Sequence, residues 1–225
     1  MPRVSLPPEE RRAQIVATAK RLFAEKGIAS TKVSDIATAT GTAQGTFYLY
    51  FKSKDEVVGA IAEEIAKAFA DDVKAAIERR EGSSMSVLVQ IFDLLLVQFH
   101  SDRDVVDELH RDDNRRMHEH VSELSLTRLR PDLLALVERG VAEGTFTVDS
   151  PAFAVDFVAS VATGFRQQDF ADDDRLPEKL QAALHFCLRG LGVTEEPLPR
   201  LNAVQRDRPT GASHVADRIG PSATS

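Results

Sequence analysis

Apolar residues recur at intervals of three and four along most of this chain and almost nowhere alternate, which predicts an all-α fold. Ile15, Ala19, Leu22 and Phe23 share one helical face. The helix that carries them opens near Pro8, with Glu9 and Glu10 at its positive dipole end, and stops at Gly27. Ser30 or Thr31 is placed to cap a short second helix over 32–40, which Gly41 closes, and a third covers 42–51. Ser53 and Glu56 have the spacing of a capping box and open a long helix reaching about Arg80, with Val57, Ile61, Ile65 and Phe69 along one face. Further helices are predicted over 84–101, 103–111 and 114–142, with Pro131 dividing the last. Ser150 and Pro151 start another to residue 168, and Pro177 opens a final one that ends near Gly190 or Gly192. Beyond Thr194 the apolar period is lost, and the tail 194–225 is predicted to be disordered.

Charge divides the chain where the pattern changes from short helices to long ones. Residues 1–54 carry nine basic and four acidic groups, net +5, whereas the remainder carries 19 basic and 31 acidic groups, net -12. This predicts a small basic domain over 1–54 and a larger acidic domain over 55–193, facing different partners. The single cysteine excludes an internal disulfide and a thiolate cluster. The N-terminus lacks a signal-peptide core, and "SVLVQIFDLLLVQF" is too short and too polar to span a bilayer, so a cytoplasmic protein without membrane contact is expected.

The informative stretch is 33–47. Ala37 sits mid-helix, Gly41 in the turn and Phe47 on the next helix, beside Ile36. A helix-turn-helix needs a small residue where its helices touch, a residue tolerant of positive φ in the turn, and an apolar plug from the second helix. Both tyrosines of the chain, Tyr48 and Tyr50, follow at once, with Lys52 and Lys54 behind them. Phe47 and Phe51, four apart, turn inward, leaving the tyrosine hydroxyls, both lysines, Lys32 and Thr31 for phosphate oxygens. Thr42, Ala43, Gln44 and Thr46 remain for base edges: Gln44 suits adenine and the Ala43 methyl suits thymine. Gly45 permits close approach to the DNA backbone.

The run "TKVSDIATATGTAQGTFYLYFKSKDEV", 31–57, resembles the DNA-binding segment of the tetracycline-repressor (TetR) family of bacterial transcription regulators. It carries the family's threonine, "IA", glycine and "G-T-F-Y-x-Y-F-x-S-K" in order, over about a quarter of the chain. "GTAQG" departs from the commoner "GVSKG", so Gln44 replaces a lysine and implies a distinct operator. Carried over by position, Thr31, Lys32, Thr42, Gln44, Gly45, Tyr48, Tyr50 and Lys54 fall where the family touches DNA.

The resemblance further implies that the helical body binds a small effector and forms a homodimer. Candidate pocket residues are Phe92, Leu95, Leu96, Phe99, Met117, Val121 and Phe165, with His100, His110, His118 and Arg166 as polar contributors. Candidate interface residues are Phe157, Ala159 and Ala162 on one helix and Leu184, Cys187 and Leu188 on the next, small and apolar side chains that suit a four-helix interface.

A metal site is not expected: His118 and His120 diverge on a helix, and Asp102-x-Asp104 lacks the glycine and closing glutamate of a calcium loop. No cofactor or catalytic motif is present; HExxH, G-x-S-x-G and phosphate-cradling glycine loops are all missing, so no enzyme is expected. The expected function is a ligand-responsive transcriptional repressor that binds a palindromic operator in double-stranded DNA as a dimer. The alternative is a helical interaction module whose basic end docks an acidic partner.

Overall fold

The computed structural model describes residues 6–79, 81–101, 105, 108, 115–166 and 175–201, with the backbone alone at 99–101, 115–118 and 162–166. Among the described residues every regular element is a helix. The elements are α1 (Pro8–Lys26), α2 (Val33–Ala39), α3 (Gln44–Tyr48), α4 (Lys54–Arg79), α5 (Ser84–Ser101), α6 (Arg115–Ala142), α7 (Pro151–Arg166) and α8 (Leu176–Gly190).

Local rules set most of the boundaries. Pro8 stands in the first turn of α1, followed by Glu9 and Glu10, and Gly27 (φ 81°) closes the helix by donating its N–H to the Phe23 carbonyl. Gly41 (φ 68°) donates to the Thr38 carbonyl while Thr42 N–H reaches back to Ala37, a Schellman closure that turns the chain from α2 into α3. At the start of α4 the Glu56 N–H donates to Ser53 Oγ, and the Glu56 carboxylate takes the Lys52 N–H at 2.6 Å. The predicted capping box is therefore present, shifted by one residue at its return bond.

Two apolar cores form, and α4 belongs to both. Its first half (Val57, Val58, Ile61, Ile65) packs with Ile15, Phe23, Ile36, Phe47 and Phe51. Its second half (Phe69, Val73, Ile77) packs with α5, α6, α7 and α8. The N-terminal core thus continues beyond residue 54, because a three-helix unit this small needs α4 to cover its open side.

Three expectations about the body change. Pro131 does not divide α6, which runs through it; Pro131 and Thr127, whose carbonyl loses its partner, are both exposed, so water can satisfy the freed group. Residues 194–201 are not a free tail: Leu198 and Leu201 pack on the body core. Gln181 of α8 reads that segment's backbone, donating Nε2–H to the Pro199 carbonyl at 3.1 Å and accepting Leu201 N–H at 2.7 Å. Of the predicted helix 103–111 only residues 105 and 108 are described, both helical, with Val105 buried in the N-terminal core; the tail beyond 201 lies outside the described residues.

Elsewhere the body is joined by polar clamps at helix ends. The Ser84 N–H donates to the Glu143 carboxylate at 2.9 Å, and Arg139 Nε donates to Ser84 Oγ at 2.9 Å. The Ser84 N–H foremost, then the Ser84 hydroxyl and the Arg139 charge, hold the Glu143 carboxyl below the usual range. Gly140 is required for contact rather than conformation: a Cβ there would sit 2.1 Å from the buried Phe146 ring.

Candidate nucleic-acid interface and apolar cavity

Phe47 fixes the orientation of α3. Its ring is fully buried, edge-on to Tyr48 at 5.5 Å and tilted against Phe51 at 5.9 Å. With Phe47 inward, residues two before and two after it turn about 200° away. Gly45 and Leu49 therefore crown the outer face, and both are exposed. Ala43, Gln44 and Tyr48 are exposed beside them, Thr46 is half-buried, and Lys32 and Lys52 stand exposed at the margins. These positions form one continuous outward surface.

Three expected DNA contacts have their polar groups engaged within the chain, and a fourth, Tyr50, packs against the core. Thr31 is buried, its hydroxyl donating to the Gly27 carbonyl at 2.8 Å and its N–H to Ile28. Neither group is left for a phosphate, nor does Thr31 cap α2, whose preceding residue is Lys32. The half-buried Thr42 hydroxyl lies 2.9 Å from Thr40 Oγ1, inside the turn. Lys54 Nζ donates to the Ile28 carbonyl at 2.7 Å and ties α4 to the end of α1. Tyr50 is half-buried and packs on the N-terminal core. Thr31 and Lys54 tie the loop before α2 to α1 and α4 through these bonds, and Thr42 bonds within the turn after it. Thr31→Ala is expected to lower stability by about 1 kcal/mol through the lost buried hydrogen bond. Operator affinity of the still-folded protein should stay within about twofold, a difference of well under 1 kcal/mol, when thermal unfolding and DNA titration are compared.

Asp35 braces the same loop from outside. Its carboxylate pairs with Lys26 Nζ at 2.7 Å and accepts the Lys32 N–H at 3.0 Å. The Lys26 hydrogen bond, then the Lys32 N–H, hold its carboxyl below the usual range.

In the body, α4, α5, α6 and α7 enclose a partly open cavity of about 60 Å³. Phe69 and Val73 form one wall, Leu88, Ile91, Phe92 and Leu95 a second, and Leu126, Leu129 and Leu133 a third, closed by Val158 and Ala159. Among the described lining residues the polar ones are Ser122 and Ser125, and the Ser125 hydroxyl already donates to the Val121 carbonyl at 2.7 Å. Phe69 also borders a second groove, lined by Lys20 of α1 together with Glu64, Asp72 and Gln98.

Of the expected pocket residues, Phe92 and Leu95 line this cavity. Leu96 is buried in the body core without bordering the cavity, and Val121 belongs to the N-terminal core. The side chains of Phe99, His100, His110, Met117, His118, Phe165 and Arg166 lie outside the described residues. Ala159, expected at an interface, instead closes the cavity. The other cavity residues sit on the same apolar stripes as ordinary core, so the sequence held no signal to single them out.

The interface expectation needs a similar correction. Leu184, Cys187 and Leu188 have no exposed surface within a single chain, so they cannot contribute area to a second one. The outward faces of α7 and α8 instead present Phe153 (73% exposed) and Phe186 (59% exposed). Phe157 is half-buried, stacks on Phe186 at 5.5 Å and covers Gly190. Ala162 falls among the residues described by backbone alone. Burial pushes the Cys187 thiol up to about 12. Cys187 should therefore resist a thiol-specific colour reagent in the native protein and react fully once the chain is denatured.

A three-helix unit with an outward recognition helix, joined through α4 to a helical body with an apolar cavity, defines a helix-turn-helix DNA-binding regulator. The model of bacterial regulatory proteins of the tetR family matches residues 15–61. The chain is 31% identical over 147 residues to the HTH-type transcriptional repressor KstR2 of Rhodococcus jostii (strain RHA1), a match covering 62% of this chain and 69% of that protein. It is 41% identical over 68 residues to the HTH-type transcriptional regulator YvdT of Bacillus subtilis (strain 168), covering 30% of this chain but only 35% of that relative. A TetR/AcrR-family regulator from Thermobifida fusca has the same fold, with a TM-score of 0.59 at 26% identity over 80% of this chain and 98% of that one. The chain belongs to the tetR family of bacterial regulatory proteins and is a transcriptional regulator. Among the described residues no helix is long and apolar enough to cross a membrane.

Proposed function

We propose that the protein is a dimeric repressor that binds a palindromic operator and is released by a small apolar effector. The observation that carries this reading is the pairing, through one helix, of an exposed recognition face with an apolar cavity: Phe69 of α4 borders both the cavity and the groove beneath α1. The cavity of about 60 Å³ is far smaller than the ~300–1,000 Å³ of ligand sites. An effector must therefore push its walls apart. Displacing Phe69 shifts α4 against Lys20 and α1, and the spacing of the two recognition helices changes with it. Release then follows from unequal effector affinity for the two arrangements. The relative named as a repressor supports repression as the output. The patch of exposed Phe153 and Phe186 around half-buried Phe157 on α7 and α8 suits burial against its own copy, which would set the recognition helices about one DNA turn apart, ~34–36 Å or slightly more.

The test is selection of bound sequences from random duplex DNA, with a Gln44→Ala, Tyr48→Ala variant in parallel. Enrichment of a palindrome that the folded variant fails to recover supports the reading. If folded, ligand-free protein enriches nothing at low salt, the operator reading fails and the basic end becomes a docking surface for an acidic partner.

A further inference from the structure

Leu49 is the most exposed large apolar side chain among the described residues, at 81%. It follows α3 directly and keeps right-handed helical geometry (φ -73°, ψ -24°), so it continues the same spiral. Two residues after the buried Phe47 and four after Gly45, it stands at the crest of the outward face, directly opposite the plug that anchors the helix. Its neighbours there are a residue with no side chain at Gly45, the exposed Gln44 amide and Tyr48. A branched apolar side chain at this position has no phosphate to bond. The one apolar group that B-DNA offers in its major groove is the C5-methyl of thymine.

We infer that Leu49 is a specificity-determining residue that reads a thymine methyl in each operator half-site. The inference rests on the operator-binding function proposed above. It separates the two kinds of contact on this face. Lys32 and Lys52 act on phosphate charge and respond to salt, whereas Leu49 acts on one base and does not. Burying one methyl group corresponds to about a fourfold change in affinity, so a symmetric pair of half-sites should change by roughly 10- to 20-fold.

The experiment uses the full-length dimer and the operator selected by the wild-type protein. Each symmetry-related thymine pair is replaced in turn by deoxyuridine, which keeps every hydrogen-bonding group and removes only the methyl. Wild type and Leu49→Ala are titrated against the whole series at two salt concentrations. The expected result is one symmetric position where the swap weakens wild type by about an order of magnitude and leaves Leu49→Ala unaffected, with equal salt slopes for both proteins. Identical responses of the two proteins at every thymine overturn the inference, as does wild-type affinity in the variant. Either of those outcomes leaves operator binding itself intact. Failure of the wild type to select any operator would instead remove the regulator reading, and the inference with it. Because Leu49 is largely solvated, the variant should unfold at the wild-type temperature, so a lower affinity reports contact rather than folding.

Discussion

Phe47→Ala should abolish operator binding while the body remains folded. Phe47 has no exposed surface and is the only buried residue of the five in α3. A helix that short has no stability of its own and persists only through packing. Removing a buried phenylalanine ring costs about 3–5 kcal/mol, which corresponds to roughly two to four decades in an equilibrium constant. The body has a separate core in which Leu136, Leu180, Leu184 and Leu188 are fully buried, so it does not depend on that ring. Titration of labelled operator should show at least a ~100-fold loss of affinity, and amide exchange at 44–48 should rise while α8 keeps its protection. Equal loss of protection in α8 would show that the two cores fold as one unit and that α4 transmits the damage.

The same division between local and tertiary information separates what could be read in the sequence from what could not. Gly27, Gly41 and Ser53 mark helix ends because the chemistry of each end is satisfied within a few residues. Phe47 could be placed inward for the same reason, since its partner Phe51 lies on the next turn. Thr31 and Lys54 were different. A hydroxyl or ammonium there serves a phosphate or a backbone carbonyl equally well, and the carbonyls of Gly27 and Ile28 take them only because α1 and α4 converge at that loop. On α8 the stripe Leu180, Leu184, Cys187 and Leu188 defined one apolar face correctly, but a period cannot say whether its neighbour is the same chain or a copy. The informative residue is the aromatic off that stripe, Phe186, which is 59% exposed and whose ring stacks on Phe157. Leu49 is of the same kind: an apolar residue that the helical period places outside.

Ala159→Leu should give a regulator that binds its operator and is no longer released. Ala159 is buried and closes the cavity from α7, opposite Phe69, Phe92 and Leu129. Leucine adds three carbons at the wall of this cavity. Overpacking of this kind costs about 1–3 kcal/mol, so the variant should fold with a modestly lower melting temperature. Because the recognition face and the N-terminal core lie beyond α4, operator affinity without effector should match wild type. Wild-type protein warmed with a panel of small apolar compounds should be stabilised by those that fit, and the same compounds should weaken operator binding by about 5- to 150-fold. For Ala159→Leu both responses should disappear together, since an effector shifts the equilibrium only by its differential binding to the two states. A variant that is still released at the wild-type effector concentration would place the effector elsewhere in the body. A variant that binds effector normally yet keeps its operator would instead separate the cavity from α4 and remove Phe69 from the route between them.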